Sequence, residues 1–135
     1  EGVNDHELTD IAEFICDIHP EIPWHVFRLL PEHDMKDFKY PDIEKINRLL
    51  EASRKFLPYI YFHNFVGSNW VNTLCPNCGE VVVKRFSLGC SGDRLDAFLA
   101  PGNVCAACGT VIAMLGTRVG WNEKQFDQKP TMEAI

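Results

Sequence analysis

Two short cysteine pairs constrain this chain more than any other feature: Cys75-Pro76-Asn77-Cys78-Gly79 and Cys105-Ala106-Ala107-Cys108-Gly109 both follow the pattern CxxCG. A two-residue spacer lets both sulfurs of a pair reach one ion at about 2.3 Å. The glycine after each second cysteine suits the positive φ that such a turn commonly needs. Each pair leads into a strand-like run, Val81-Val82-Val83 after the first and Val111-Ile112-Ala113-Met114-Leu115 after the second. Two knuckles, each feeding a short hairpin, describe a zinc ribbon. Cys75, Cys78, Cys105 and Cys108 are therefore expected to hold one Zn2+ ion. Four thiolates leave no open coordination position, which makes the metal structural and not catalytic. Iron in a rubredoxin-like arrangement is the alternative occupant, since sulfur cages suit both metals. A pair of disulfides, or redox-active CxxC motifs, leaves the repeated CxxCG-strand pattern unexplained.

Two of the six cysteines stand outside this set. Cys90 lies in Gly89-Cys90-Ser91-Gly92, which reads as a flexible insertion between the knuckles, with Cys90 a free surface thiol or an occasional replacement ligand. Cys16, beside Ala12 and Ile15 on a helical stripe, reads as a small buried hydrophobe.

At 135 residues and 46% hydrophobic composition, the chain can bury one core with an appendage. Its formal net charge of −6, with no long basic run, argues against sequence-independent binding to nucleic acid. No stretch approaches the roughly 20 apolar residues of a membrane span. The opening Glu1-Gly2-Val3-Asn4-Asp5 does not read as a secretory signal, and reduced thiols suit a cytoplasmic location.

Before the cysteines, hydrophobic period alternates between helix and strand. Leu8, Ile11, Ala12, Ile15 and Ile18 recur at helical spacing behind Asn4 or Asp5 as N-cap, and Pro20 closes the run. Residues 24–30 are mostly apolar between Pro23 and Pro31, as in a strand buried on both faces of a parallel sheet, with Arg28 the exception. Ile43, Ile46, Leu49, Leu50, Ser53 and Leu57 trace a second amphipathic helix, capped by Asp42 and stopped by Pro58. Residues 59–65 are aromatic and strand-like. Two strands joined by a helix should lie parallel with a right-handed crossover. Their C-terminal ends then share the sheet edge at which α/β folds bind ligands. His33 follows the first strand and His63-Asn64 end the second, where ordinary loop polarity is the competing explanation. Two strands and two helices cannot cover both faces of a sheet, so this half reads as part of a larger α/β unit.

Several segments in a telling order carry a family resemblance. They are Gly2-Val3-Asn4-Asp5, Ile22-Pro23-Trp24-His25-Val26, Leu30-Pro31-Glu32-His33-Asp34-Met35, Tyr59-Ile60-Tyr61 and Cys75-Pro76-Asn77-Cys78-Gly79. Residues 1 to 116 resemble the C-terminal part of the radical SAM enzymes of the AmmeMemoRadiSam system, which are similar to pyruvate formate-lyase activating enzymes. Residues 86–104 and the tail match less well. The resemblance implies an α/β fold: the last units of a partial (β/α)6 barrel over 1–66, a zinc-ribbon-like region over 67–120 and an extended tail over 121–135. It also implies that His33, in Leu30-Pro31-Glu32-His33, faces an S-adenosylmethionine site. In that family a [4Fe–4S] cluster cleaves S-adenosylmethionine to a radical. The CxxxCxxC motif that holds the cluster is absent from these 135 residues. Both cofactors are thus expected only in a complete parent enzyme, and this chain alone is expected to be inactive. Its expected partner is the missing N-terminal barrel half or a protein substrate. The alternative is a freestanding zinc-ribbon adaptor that docks proteins along the 59–65 strand.

Overall fold

The computed structural model describes residues 5–64 and 66–115. Asn4 and the expected tail (121–135) lie outside the described residues. Helix α1 (Asp5–Ile18) leads to β1 (Trp24–Phe27), α2 (Ile43–Ser53) and β2 (Ile60–His63). Strands β3 (Thr73–Leu74), β4 (Val81–Ser87) and β5 (Asp93–Phe98) follow. Among the described residues, no helix is long and apolar enough to cross a membrane.

The expected helix–strand–helix–strand order holds, and β1 and β2 pair in parallel, with Trp24 opposite Ile60 and Phe27 opposite His63. Asp42 caps α2 as its sequence position suggests, accepting a hydrogen bond from the Lys45 N–H at 3.1 Å. Strand β1 ends at Phe27, short of the expected residue 30, because a side chain replaces the ladder partner of Arg28. The Arg28 N–H donates to Asn64 Oδ1 at 3.0 Å, and Asn64 Nδ2 donates back to the Arg28 carbonyl at 2.8 Å. Asn64 does this with φ of 61°, a left-handed conformation that asparagine tolerates better than most residues.

The expectation that β1 is buried on both faces is corrected. Period-two alternation sends Trp24 and Val26, with Ile60 and Phe62 of β2, against the helices. There they join Ala12, Leu50 and Leu57 in one apolar cluster, with Cys16 packed at its margin and its thiol donating to the Phe56 carbonyl at 3.3 Å. The opposite face carries His25, Phe27, Tyr61 and His63.

Strands β3, β4 and β5 form an antiparallel sheet in that order, irregular between Lys84 and Arg85. The flexible insertion expected around Cys90 is instead the turn of the β4–β5 hairpin, where Leu88 N–H donates to the Gly92 carbonyl at 2.8 Å. Cys90 is exposed there. The strand expected from Val111 onward is reduced to a single bridge between Val104 and Val111. Beyond it the Ala113 N–H turns to Tyr59 Oη, at 3.3 Å, in place of a neighbouring strand.

Contacts cross from the parallel pair to this sheet. Tyr59 is buried in a second cluster with Cys75, Val82, Val83, Ala100, Cys105 and Ile112. Tyr61 Oη lies 2.9 Å from Thr73 Oγ1, and Arg85 donates to both Thr73 Oγ1 and the Val71 carbonyl, at 2.9 and 2.8 Å.

Candidate metal centre

The two knuckles are built alike because they share one local sequence. In the first, the Cys75 N–H donates to the Glu80 carbonyl at 2.7 Å and the Gly79 N–H to the Cys75 carbonyl at 2.9 Å. In the second, the Cys105 N–H donates to the Thr110 carbonyl at 2.9 Å and the Gly109 N–H to the Cys105 carbonyl at 2.8 Å. Gly79 and Gly109 both have φ of 74°, and a Cβ at either position meets nothing within 4 Å. These glycines are therefore required by backbone conformation and not by space.

The knuckles bring all four sulfurs within 4.8 Å of one another. Cys75 Sγ lies 3.5 Å from Cys108 Sγ, and Cys78 Sγ lies 3.7 Å from Cys105 Sγ. A disulfide needs about 2.05 Å, so these are separate thiols. A tetrahedral ion with metal–sulfur bonds of about 2.3 Å has sulfur–sulfur edges of about 3.8 Å, which this cluster matches. Cys75 and Cys105 are buried, whereas Cys78 and Cys108 are exposed. The donor set can hold one metal ion.

Without a cation, four thiols this close cannot all ionise. The Cys108 thiol is pulled down to about 5 by the Thr110 side chain, then by the Thr110 backbone and Asn77. Cys78 is pushed up to about 12: a backbone hydrogen bond at Glu80 favours its thiolate, but hydrogen bonds with Cys108, Cys75 and Cys105 and partial desolvation prevail. Binding a metal therefore releases protons from the cluster.

The other residues singled out in the sequence part company. His33 sits in an exposed 3₁₀ turn (His33–Met35) with φ of 49°, and its imidazole has no hydrogen bond among the described residues. Asn64 serves as the backbone clip for Arg28. His63 alone enters a side-chain cluster, between His25 and Asp93. Neither of those two stood out in the sequence. Strand alternation together with the parallel register places His25 on the face of His63, but Asp93 comes from a hairpin that the sequence did not reveal.

No protein-family model matches this chain, and no solved structure matches it. The chain is 30% identical over 104 residues to the uncharacterized protein MJ0808 of Methanocaldococcus jannaschii. That stretch is 76% of this chain but 31% of the relative, so the chain spans about a third of the length of the curated protein it matches.

Proposed function

We propose that this chain is a metal-stapled module of a larger α/β protein, with a structural zinc ion held by Cys75, Cys78, Cys105 and Cys108. The convergence of the four sulfurs carries this reading. Zinc is favoured because a closed, redox-silent tetrathiolate site stabilises small folds with little apolar core. Iron in the same cage is the competing occupant.

The larger protein is, in this proposal, a radical SAM enzyme resembling the pyruvate formate-lyase activating enzymes. Its catalytic cluster and the rest of its S-adenosylmethionine site are supplied by residues outside this chain, and His33 contributes a contact to that cofactor. The ordered motifs from Ile22 to Gly79 support the family assignment. Three physical features support a larger unit. Strand β1 pairs only with β2 among the described residues. Phe14 and Ile18 of α1 are exposed at 66% and 61%, surface that further barrel units would cover. The relative, about three times as long as the stretch it shares with this chain, leaves room for such units.

The test is native mass spectrometry of protein purified anaerobically from its own source. One zinc on a much heavier chain that also carries a [4Fe–4S] cluster is the expected result. A 15.4 kDa species with one zinc and no partner supports the freestanding adaptor instead. Cleavage of S-adenosylmethionine by the isolated 135-residue chain would overturn the assignment of catalysis to residues outside it.

A further inference from the structure

A second constellation lies away from the cysteines, on the face of the parallel sheet turned from the helices. Asp93 Oδ2 is 2.8 Å from His63 Nδ1, and His63 Nε2 is 2.8 Å from His25 Nδ1. The side chains of His63 and Asp93 are 14% and 15% exposed, whereas His25 is open to solvent. The two imidazoles are nearly parallel, at 15°, with centroids 4.9 Å apart. Phe27 flanks His63 at 5.3 Å, and Tyr61 flanks His25 at 5.0 Å.

The fold builds this line from three strands. Parallel register sets His25 opposite Tyr61 and Phe27 opposite His63 on one face. Asp93 opens β5, paired with Ser87. The Ser87 carbonyl in turn accepts from the Gly67 N–H at 3.3 Å, and Val66 bridges Leu88, so the hairpin turn is pinned just beyond the end of β2.

With one proton on each imidazole, donor and acceptor chemistry gives the line a single direction. A carboxylate only accepts, so His63 Nδ1 carries the hydrogen directed at Asp93. Nε2 of neutral His63 is then an acceptor, and His25 Nδ1 donates to it. His25 Nε2 is left with a lone pair and no partner among the described residues. The groups facing His25 favour its neutral form. Partial desolvation beside the stacked rings lowers its pKa most, His63 and Arg85 lower it further, and only Asp93 opposes them. The second Asp93 oxygen, Oδ1, is buried without a hydrogen-bond partner, which is costly for a carboxylate that serves only to join two strands.

We propose that Asp93, His63 and His25 form a proton relay whose outer nitrogen, His25 Nε2, takes the proton of an O–H group, in a hydroxylated ligand or in water, bound on this open face. The O–H bond breaks toward His25 Nε2, and the His25 Nδ1 proton passes to His63 Nε2. His63 keeps its Nδ1 hydrogen on Asp93, and the charge left on the oxygen goes to the bond that oxygen forms. His25 is the group that meets the ligand, while His63 and Asp93 are positioning residues. The site is independent of the metal proposal, since none of its residues is a metal ligand.

The experiment uses the full zinc-loaded chain and p-nitrophenyl acetate as probe. Water deprotonated by His25 adds to the acyl carbon, p-nitrophenolate leaves, and the proton returns to solvent. The chain has five histidines, so equal surface reactivity predicts that H25Q loses only about a fifth of the rate. The relay predicts a loss of at least tenfold in H25Q, within the range for a positioned base. It also predicts a rise in the apparent pKa of the pH–rate profile in H63Q, as a lowering influence on His25 is removed, and no change in H6Q. Imidazole ¹⁵N shifts of the unmodified chain check the direction of the line: His25 and His63 should both be in the Nδ1–H tautomer. H25Q within twofold of the parent rate, or His25 in the Nε2–H tautomer, overturns the relay. If H63Q does not fold, the exposed H25Q substitution and the tautomers still decide the matter.

Discussion

The two halves of the molecule are held by different physics. Around β1 and β2, side chains of α1 and α2 bury Leu50, Leu57, Ile60 and Phe62 to 1% exposure or less, as an ordinary hydrophobic core does. Around β3 to β5, two of the seven buried cluster members are themselves cysteines of the metal cage, Cys75 and Cys105. A region with so few large apolar side chains depends on a cross-link for its stability. Under the proposed function, the second half is conditional on metal in a way that the first is not.

The largest effect should follow from attacking the cage. Cys78→Ser, or removal of metal by a chelator, should cost several kcal/mol of folding free energy, because metal binding supplies folding free energy outright. Amide hydrogen exchange checks it and tests the comparison directly. Protection should be lost first at Cys75, Gly79, Cys105 and Gly109, while Ile60 to His63 stay protected. Simultaneous loss in both regions would show that Tyr59 and Tyr61 couple the halves into one cooperative unit.

The converse substitution is Phe62→Ala, whose side chain is fully buried against the helices. It should cost about 3–5 kcal/mol in chemical denaturation. Under the proposed function, one zinc per chain should still be bound under native conditions. A loss of zinc in this variant would place the cage under the control of the first core.

Acid should separate the regions next. With Cys108 near 5 and Cys78 near 12 in the metal-free cluster, binding at neutral pH displaces a proton from Cys78 at least. Affinity therefore rises with pH and falls as pH is lowered, by about tenfold per pH unit for each proton released. Competition against a chromophoric chelator at pH 6, 7 and 8 measures the slope. A flat profile would mean that the thiols are already ionised before metal arrives.

Legibility from sequence follows the same division. The cysteine cage was readable because CxxCG is local: ligand spacing, turn and glycine are set within five residues. The parallel pair was readable because helix and strand periods alternate cleanly between residues 8 and 63. What escaped were features decided by distant partners. The extent of β1 is set by Asn64, 36 residues away, whose side chain takes over the backbone of Arg28. The hairpin of β4 and β5 was obscured by Gly89 and Gly92, which read as flexibility but form its turn. Asp93 therefore had no visible route to His63.

A smaller effect tests whether the knuckle glycines matter apart from the metal. Gly109→Ala introduces a Cβ into open space but keeps a φ of 74° that alanine disfavours. The expected loss is about 1–2 kcal/mol from left-handed strain alone. Thermal unfolding of the zinc-loaded protein measures it, with Gly79→Ala as the matched variant. Equal losses at the two positions would confirm that the knuckles are equivalent units, and unequal losses would assign more of the strain to one of them.

The smallest change is expected at His33, and its smallness is informative. Its ring is exposed, and the adjoining 3₁₀ turn contains no buried residue. His33→Ala should change stability by no more than about 0.5 kcal/mol, as for surface positions generally. The left-handed φ of 49° sets the sign: alanine fits that conformation less well than histidine, so a slight loss is expected in place of a gain. Denaturant midpoints of the isolated chain measure this. A loss above about 2 kcal/mol belongs with buried side chains and would remove His33 from the ligand edge altogether. A near-neutral result leaves its imidazole available for the proposed cofactor contact, which S-adenosylmethionine binding by the proposed parent enzyme, with and without the substitution, then tests.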